Sequence, residues 1–224
     1  MTRCASESGM TPQGLGWRAP RPVPSTIETP RLTLRLVRLD EIARCSRVVA
    51  ANTAHLLPWM PWARLGEAGA ARYYSEQLTN ASSDEPLREL GLGIFVRESG
   101  RFIGATGIHD VRAETASAET GYWIAHDQTR LGYATEACRH VLSWALRPQD
   151  RGGLGLRRIR IYCSSANPAS AHIPEALGLT AEVRQRRDYF VEGHGPTDRL
   201  GWGVLAEEWD CQANAVTQSE ASTE

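Results

Sequence analysis

The sequence contains no stretch that approaches the roughly 20 consecutive apolar residues of a membrane-spanning helix. Its first residues also lack the apolar centre of a secretion signal. Charge of neither sign is in excess, because 25 Lys and Arg residues face 26 Asp and Glu residues. General binding to nucleic acid or to a membrane surface needs a basic excess. We therefore expect a cytoplasmic protein with neither a nucleic acid nor a membrane among its partners.

Cysteine is also sparse, and its five residues are widely scattered: Cys4, Cys45, Cys138, Cys163 and Cys211. None of them forms a close pair with the spacing of a metal site or a redox motif. Reduced thiols are the simplest interpretation, and no metal cofactor is expected. A Cys–His nucleophile is equally unsupported, because Cys138 and Cys163 occupy apolar, core-like positions.

What the chain does have is 224 residues with 42% hydrophobic content, which is enough for one substantial core. Residues 1–26 are rich in Pro, Gly and Ser without periodicity, which predicts a flexible arm. Residues 211–224 are polar and predict a disordered tail. A single domain is expected over residues 27–210.

Strand and helix patterns are intermixed along that domain. Apolar and basic residues alternate in RLTLRLVRL (Arg31–Leu39), as they do in a half-buried strand. Two further strand-like runs flank the turn ESGR (Glu98–Arg101), which predicts a hairpin. Helical patterns lie between strands, for example over residues 66–81. The mixture predicts an α/β fold with a mixed sheet flanked by helices.

Three segments are candidates for chemistry, and the first is RLGYATEACRHVLSWAL (Arg130–Leu146). Apolar residues from Ala134 onward recur at helical spacing, so the body of this helix is core packing. Its start offers backbone N–H groups that the first turn cannot satisfy, and Gly132 allows a ligand to approach closely. Such a terminus receives phosphate oxygens well. An ordinary strand-to-helix turn explains the same residues.

The second segment is AETGYWIA (Ala118–Ala125). In an alternating strand, Glu119, Gly121 and Trp123 point to one face. A carboxylate that shares a face with a tryptophan can have its pKa raised by desolvation, which suits a general base. The alternative is a strand-edge glutamate that pairs with an arginine.

The third segment is SSANPASAHIPEALGL (Ser164–Leu179). Asn167-Pro168 predicts a turn, at which Asn167 or Ser170 either caps the following helix or contacts a ligand. Gly178 is suited to the C-terminal cap of that helix.

In this order the three segments closely resemble the GNAT acetyltransferase superfamily. The resemblance is carried by GYWI, GYATEA and NPAS…EALGL, and it extends to ETPRLTLRLVRLDE, HLLPWMPW, GRFIGATGIHD and LGWGVLAEEW. It is nearest to the RimJ/RimL-like branch, whose members acetylate amino groups of ribosomal proteins, peptides or small molecules. It covers about residues 28–209, and the ordered combination is more specific than any single piece.

The resemblance implies a mostly antiparallel sheet of about seven strands with about four helices, splayed between the strands at 118–125 and 157–163. It also implies acetyl-CoA as the acetyl donor. The loop before the helix would bind the pyrophosphate through backbone amides, and the splayed strand would pair with the pantetheine arm. The N-x-x-S turn would lie near the arm and the thiol. The implied cofactor-binding residues are Trp123, Ile124, Ala125, Arg130, Leu131, Gly132, Tyr133, Ala134, Thr135, Asn167 and Ser170.

The sequence departs from the family pattern at two places. The family loop usually has Gln or Arg three residues before its glycine and often glycine next, whereas Thr129 and Arg130 stand here. Pro174 interrupts a helix that the family usually keeps intact, which predicts a late start, a kink, or Pro174 in the first turn. In addition, the segment at residues 147–155 is an insertion without an assigned function.

The catalytic hypothesis is direct transfer of the acetyl group to a primary amine. Glu119 occupies the position of the general base in the histone-acetylating branch of the family, and an amine needs a base to arrive neutral. Backbone N–H groups near Ile124 or Ala125 would stabilise the oxyanion. Ser170 is the first choice to protonate the leaving thiolate, and Tyr189 is the second.

The acceptor is open at this stage. Trp59 and Trp62, in HLLPWMPW, either contact the substrate or fill the core, and His109 and Tyr189 are the other candidate substrate-binding residues. The near-neutral charge offers no large acidic surface for a basic ribosomal tail, which favours a small amine, such as an antibiotic or metabolite, or a protein N-terminus met by a local patch. A homodimer is compatible with the family. The alternative function is a non-catalytic regulator that binds acetyl-CoA.

Overall fold

The computed structural model describes residues 16–209, whose strands form one eight-stranded sheet with helices on both faces. The strands are β1 (Thr26–Glu28), β2 (Leu32–Arg35), β3 (Leu90–Val96), β4 (Phe102–Arg112), β5 (Ser117–Ile124), β6 (Arg158–Ser164), β7 (Thr180–Val191) and β8 (Gly195–Leu205). The helices are α1 (Ile42–Ala51), α2 (Thr53–Leu56), α3 (Gly66–Ser82), α4 (Tyr133–Leu146) and α5 (Pro168–Ala176). No helix within these residues has both the length and the apolar character needed to cross a bilayer.

The strand order is β1-β2-β3-β4-β5-β6-β8-β7, and β5 and β6 are the one parallel pair among the described strands. That pair is short, because only residues 117–119 of β5 align with residues 158–160 of β6. Beyond Glu119 the two strands separate. The predicted mixed, mostly antiparallel sheet with a splay at this place is confirmed; the eighth strand is the three-residue β1.

Each face of the sheet has its own core. On one face α4 and α5 pack through Val141, Leu142 and Ile173. On the other face α1 and α3 pack through Val49 and Tyr74 on a row of aromatic side chains. The described cysteines belong to these cores as small hydrophobic residues, and burial raises the pKa of Cys45 to about 11 and of Cys138 to about 12. Thiols of such high pKa are poor nucleophiles at neutral pH.

The predicted flexible arm, residues 1–26, includes residues that pack on the domain. Residues 1–15 lie outside the described residues, as do Cys4, the predicted tail and Cys211. From Trp17 onward, however, the chain packs on the domain: the Trp17 indole N–H donates to the Leu154 carbonyl at 2.8 Å. The Gln149 amide donates to the Arg18 carbonyl, also at 2.8 Å. The insertion at residues 147–155 therefore docks the N-terminal segment, a long-range contact that local composition does not reveal.

Candidate active site

The splay exposes one edge of β5. The Ala125 N–H donates to the Ile103 carbonyl of the β4 side at 2.7 Å. Because alternate residues of a strand direct their backbone groups to opposite edges, Trp123 and Ala125 face β4, whereas Tyr122 and Ile124 face the gap toward β6. Of the three strand residues implied to bind the cofactor, Ile124 is the one whose N–H points into the gap. The Trp123 side chain is buried in the α1/α3 core.

The loop before α4 is a concave run of backbone N–H groups. Gly132 is the N-cap residue with φ +79°, and Arg130, a non-glycine residue, also has a positive φ of +64°. The first N–H groups of α4 have no partner inside the helix, and the positive end of the helix dipole coincides with them. Such a nest suits an anion. Phosphate binding by this loop stays a prediction, and the two departures from the family pattern, Thr129 and Arg130, lie within the loop.

Arg31 and Glu136 hold this loop in place, and neither residue was predicted from the sequence to belong to the site. The Arg31 side chain contacts the Glu136 carboxylate at 2.6 Å and donates to the Leu131 carbonyl at 2.9 Å. The Thr29 hydroxyl donates to the same carboxylate at 2.6 Å. Burial opposes ionisation of Glu136, but the hydrogen bonds from Thr29 and Arg31 outweigh it and hold its pKa below the ordinary range. The loop is thus anchored by side chains, and its backbone N–H groups are left for a ligand.

Glu119 lies where β5 and β6 begin to separate, with 21% of its side chain exposed. Its carboxylate is 3.7 Å from Arg160 and 3.9 Å from His109 Nδ1, both longer than a hydrogen bond. Arg160 is closer to Asp110, at 3.0 Å. Glu119 therefore pairs with Arg160 as an ion pair, which agrees with the alternative interpretation, but no hydrogen bond holds the two side chains together.

The electrostatics of Glu119 fit a proton acceptor. Burial raises its pKa, the charges of His109 and Arg160 oppose that rise, and the neighbouring Asp110 adds to it, with a net increase. A carboxylate with a raised pKa takes up a proton closer to neutral pH than an ordinary glutamate does. The arrangement can therefore remove a proton from a group that enters beside His109.

Next to Glu119 on the same face of the sheet is a groove of about 670 Å³. Its floor is made of Gly91, Gly107 and Gly121, which are aligned with one another across β3, β4 and β5. A Cβ at Gly107 would lie 2.1 Å from the Leu90 carbonyl oxygen, so only glycine fits there. Trp62, Leu65 and Tyr73 form its exposed apolar rim, and we call this feature the glycine groove.

The two tryptophans of HLLPWMPW have different surroundings. Trp62 is 44% exposed, lines the glycine groove and lies 6.5 Å from the Trp123 ring between centroids. Trp59 does not line the groove, but its carbonyl accepts a hydrogen bond from the Tyr189 hydroxyl at 2.9 Å. With the ion pair between Arg64 and Glu192, this bond ties the segment to the β7–β8 hairpin. Tyr189 thus has a structural partner for its proton, and burial raises its pKa.

Asn167 and Ser170 lie at the start of α5. The Asn167 side-chain oxygen accepts from the Ser170 N–H at 3.1 Å, so in this structure it caps the helix. The helix begins at Pro168 and continues through Pro174, so the predictions of a late start and of Pro174 in the first turn are wrong. Because Pro174 has no N–H, the Ser170 carbonyl lacks its helical donor. The Tyr122 hydroxyl of β5 donates to that carbonyl at 3.0 Å, which compensates for the proline.

Comparison with known proteins identifies the family. The model of the acetyltransferase (GNAT) domain matches residues 31–180. The chain belongs to the GNAT acetyltransferase family. The "Putative ribosomal N-acetyltransferase YdaF" of Bacillus subtilis (strain 168) is 25% identical over 179 residues, which cover 80% of this chain and 93% of that protein.

Two solved structures are similar to this chain over most of their length. RimJ of Mycobacterium smegmatis, in complex with a CoA disulfide, is 28% identical with a TM-score of 0.69, covering 84% of this chain and 90% of that chain. RimL, a ribosomal L7/L12 α-N-protein acetyltransferase in complex with CoA, is 17% identical with a TM-score of 0.70, covering 81% and 98%; this last likeness concerns the fold alone. The predicted RimJ/RimL-like branch and the predicted acyltransferase class are confirmed.

Within residues 16–209, no group of three or more His, Cys, Asp or Glu side chains is arranged to share a metal ion.

Proposed function

We propose that this GNAT protein transfers the acetyl group of acetyl-CoA directly to a primary amine, with Glu119 as the general base. The observation that carries the proposal is the position of Glu119: a partly buried carboxylate of raised pKa, two residues before Gly121 and beside His109 at one end of the glycine groove. An amine that reacts with a thioester must be neutral, and such a carboxylate can remove its proton.

The residues present fit acetyl-CoA. The nest at Arg130–Thr135 suits a pyrophosphate, and the gap between β5 and β6 suits an extended arm that pairs with the free edge of β5. Similar proteins support this assignment, since the RimJ and RimL structures contain CoA. When bound, the cofactor supplies the acetyl thioester. Ile124 presents its N–H to the gap, and it is the residue we assign to the developing oxyanion, since the Ala125 N–H is occupied by Ile103.

Ser170 is the residue that we assign to protonating the leaving thiolate. It lies on α5, where its carbonyl bonds to Tyr122 of β5 and its hydroxyl interacts with the Cys163 thiol of β6. Ser170 therefore touches both strands of the splay. Tyr189 is the weaker candidate, because its hydroxyl donates to Trp59 and would have to leave that bond first.

The groove and the relatives support two kinds of acceptor, both of which carry a primary amine. The Bacillus subtilis relative is named as a putative ribosomal N-acetyltransferase and RimL as a ribosomal L7/L12 α-N-protein acetyltransferase, which favours a protein N-terminal amine. The glycine groove, at about 670 Å³, also accommodates a small amine. Both acceptors present a primary amine to Glu119, and the chemistry proposed for the chain is the same.

The pH dependence of Glu119→Gln tests the proposal. Wild-type kcat/KM should fall only below the raised pKa of Glu119, whereas the variant should follow the neutral fraction of the amine. The ratio of wild type to variant should then grow by about tenfold per pH unit as the pH falls from the amine pKa to the pKa of Glu119. Acetyl-CoA-dependent thiol release and mass spectrometry of the acceptor measure it.

Three controls sharpen the experiment. Glu207→Gln, an exposed carboxamide change on the helical turn at residues 206–209, should keep the wild-type profile. His109→Gln tests whether the imidazole is the base. If the kcat/KM of His109→Gln follows the neutral fraction of the amine while Glu119→Gln keeps the wild-type pH profile, His109 is the base and our assignment is wrong. Acetylation of the enzyme itself adds little background, because all 25 of its Lys and Arg residues are arginines and no lysine amine is present.

A further inference from the structure

The glycine groove has a polar row beside its floor. His109 of β4 is aligned with Glu119 of β5. Leu90 is aligned with Ile108, so Glu89, which immediately precedes Leu90, falls opposite His109 on the other side of β4. Glu89, His109 and Glu119 therefore follow one another across three strands, on the face that carries the three glycines. Because neighbouring strands are about 4.8 Å apart, the backbones at Glu89 and Glu119 are separated by about 9.6 Å.

Gln77 orients the Glu89 carboxylate. Its carboxylate accepts a hydrogen bond from the Gln77 amide at 2.6 Å, and the oxygen of the same amide accepts the Gly91 N–H at 2.8 Å. Gln77 is 1% exposed, so the carboxylate is held by a buried side chain of α3. Within residues 16–209, no arginine or histidine forms an ion pair with Glu89. A half-buried carboxylate without a counter-ion is unfavourable, which a cationic ligand would relieve.

Tyr73 completes this end of the groove. Its hydroxyl lies over Gly91, where an added Cβ would be 2.2 Å from it. Burial and the charge of Glu89 raise the pKa of Tyr73, so its hydroxyl stays neutral and its ring faces the groove next to a carboxylate. Aromatic rings and carboxylates both attract cations. Between this end and Glu119, His109 lies in the row, and the floor beside it consists of Gly107 and Gly121, which suits a slim apolar connection.

We propose that the acceptor is a dication: its reacting amine lies at Glu119, and a second cationic group is bound two strands away by Glu89, which Gln77 positions. The inference rests on the proposed acetyl transfer and specifies its substrate. The second cation has two sources, the other end of a diamine or a basic side chain next to a protein N-terminus. In both cases the recognition is a cation on Glu89 beside Tyr73.

The test compares matched acceptors with wild type, Glu89→Gln and Glu76→Gln. Glu76→Gln is the matched control, because Glu76 is an exposed carboxylate of the groove rim that Arg72 already neutralises. One arm uses hexane-1,6-diamine against hexylamine. The other uses tetrapeptides that begin with Ala-Arg against tetrapeptides that begin with Ala-Gln. Each comparison changes the second cation and keeps the reacting amine.

Wild type and Glu76→Gln should prefer the dication by about tenfold or more in kcat/KM, as expected for one charged hydrogen bond. Glu89→Gln should lose that preference while retaining activity on the monocation. The arm in which the Glu89-dependent preference occurs identifies the source. If monocations are acetylated but no preference exists in either arm, or the preference survives Glu89→Gln, the inference is wrong and the proposed function stands. If no acceptor is acetylated, both are wrong.

Discussion

Replacing Arg130 by glycine should stabilise the protein. Arg130 has a φ of +64°, in the left-handed region where a side chain costs about 1–2 kcal/mol. Glycine avoids that cost but loses about 0.5–1 kcal/mol through the greater freedom of the unfolded chain. The Arg130 side chain makes no hydrogen bond or ion pair within residues 16–209, so its removal breaks no such contact. The net expectation is a gain of about 0.5–1 kcal/mol, or a rise in Tm of about 1–4 °C.

Arg139→Gly is the matched control for this experiment. It makes the same substitution and the same charge change, but at an exposed position inside α4. Glycine in a helix interior costs about 1 kcal/mol, so Tm should fall by about 2–4 °C. Thermal unfolding followed by circular dichroism measures both shifts under one set of conditions. Opposite signs for the two variants are the expected result.

Arg130→Gly also tests whether the loop before α4 binds the pyrophosphate through its backbone or through the Arg130 side chain. If backbone N–H groups bind the pyrophosphate, Arg130→Gly should weaken CoA binding by no more than about fivefold, the value of one exposed charge. Isothermal titration with CoA measures the affinity. A large loss of affinity in a variant with raised Tm would mean that the Arg130 side chain binds the phosphates, and a fall in Tm would refute the strain argument itself.

Two further predictions concern the groove and the first helix. Gly121→Ala should fold normally, because its Cβ would be 3.6 Å from His109 Nε2, an ordinary contact distance. The methyl group should raise the KM of the amine acceptor about tenfold or more and leave the KM of acetyl-CoA unchanged. An unchanged acceptor KM would exclude this floor as the acceptor site. Glu41 is 9% exposed, and its hydrogen bond with Arg35 lowers its pKa from the ordinary value of 4.5 to about 2. The ionised carboxylate therefore stabilises the fold fully above pH 4.5, and this contribution is lost as the pH falls toward 2. Glu41→Gln should therefore cost about 3 kcal/mol in urea unfolding at pH 7 and little near pH 2, and equal losses at both pH values would contradict the assignment.

The parts of the site that could be predicted are those whose geometry is local. Alternation along β5 places Glu119, Gly121 and Trp123 on one face without any knowledge of neighbouring strands. The N-terminal end of α4 likewise follows from a glycine and a helical repeat within a few residues. Both predictions needed only the period of the element concerned.

The parts that could not be predicted depend on contacts between distant segments. Arg31 and Glu136 are far apart in sequence, and neither has a local pattern that indicates their ion pair beneath the cofactor loop. The bond from Tyr122 to the Ser170 carbonyl is of the same kind. Pro174 predicts that the helical hydrogen bond to the Ser170 carbonyl is missing, but only the packing of α5 on β5 shows which donor replaces it.

The glycine groove explains why the donor could be inferred before the acceptor. Gly91, Gly107 and Gly121 each look like an unremarkable strand glycine, and they form a floor only because the hairpins β3–β4 and β4–β5 bring them into one register. A shift of one residue in either hairpin would turn a neighbouring side chain toward the groove and fill it. The donor site comes from short contiguous segments, whereas the acceptor site comes from the alignment of three strands with α3. Substitutions on the groove floor should consequently alter acceptor selectivity while leaving cofactor binding intact, which is the separation that the two KM values of Gly121→Ala measure.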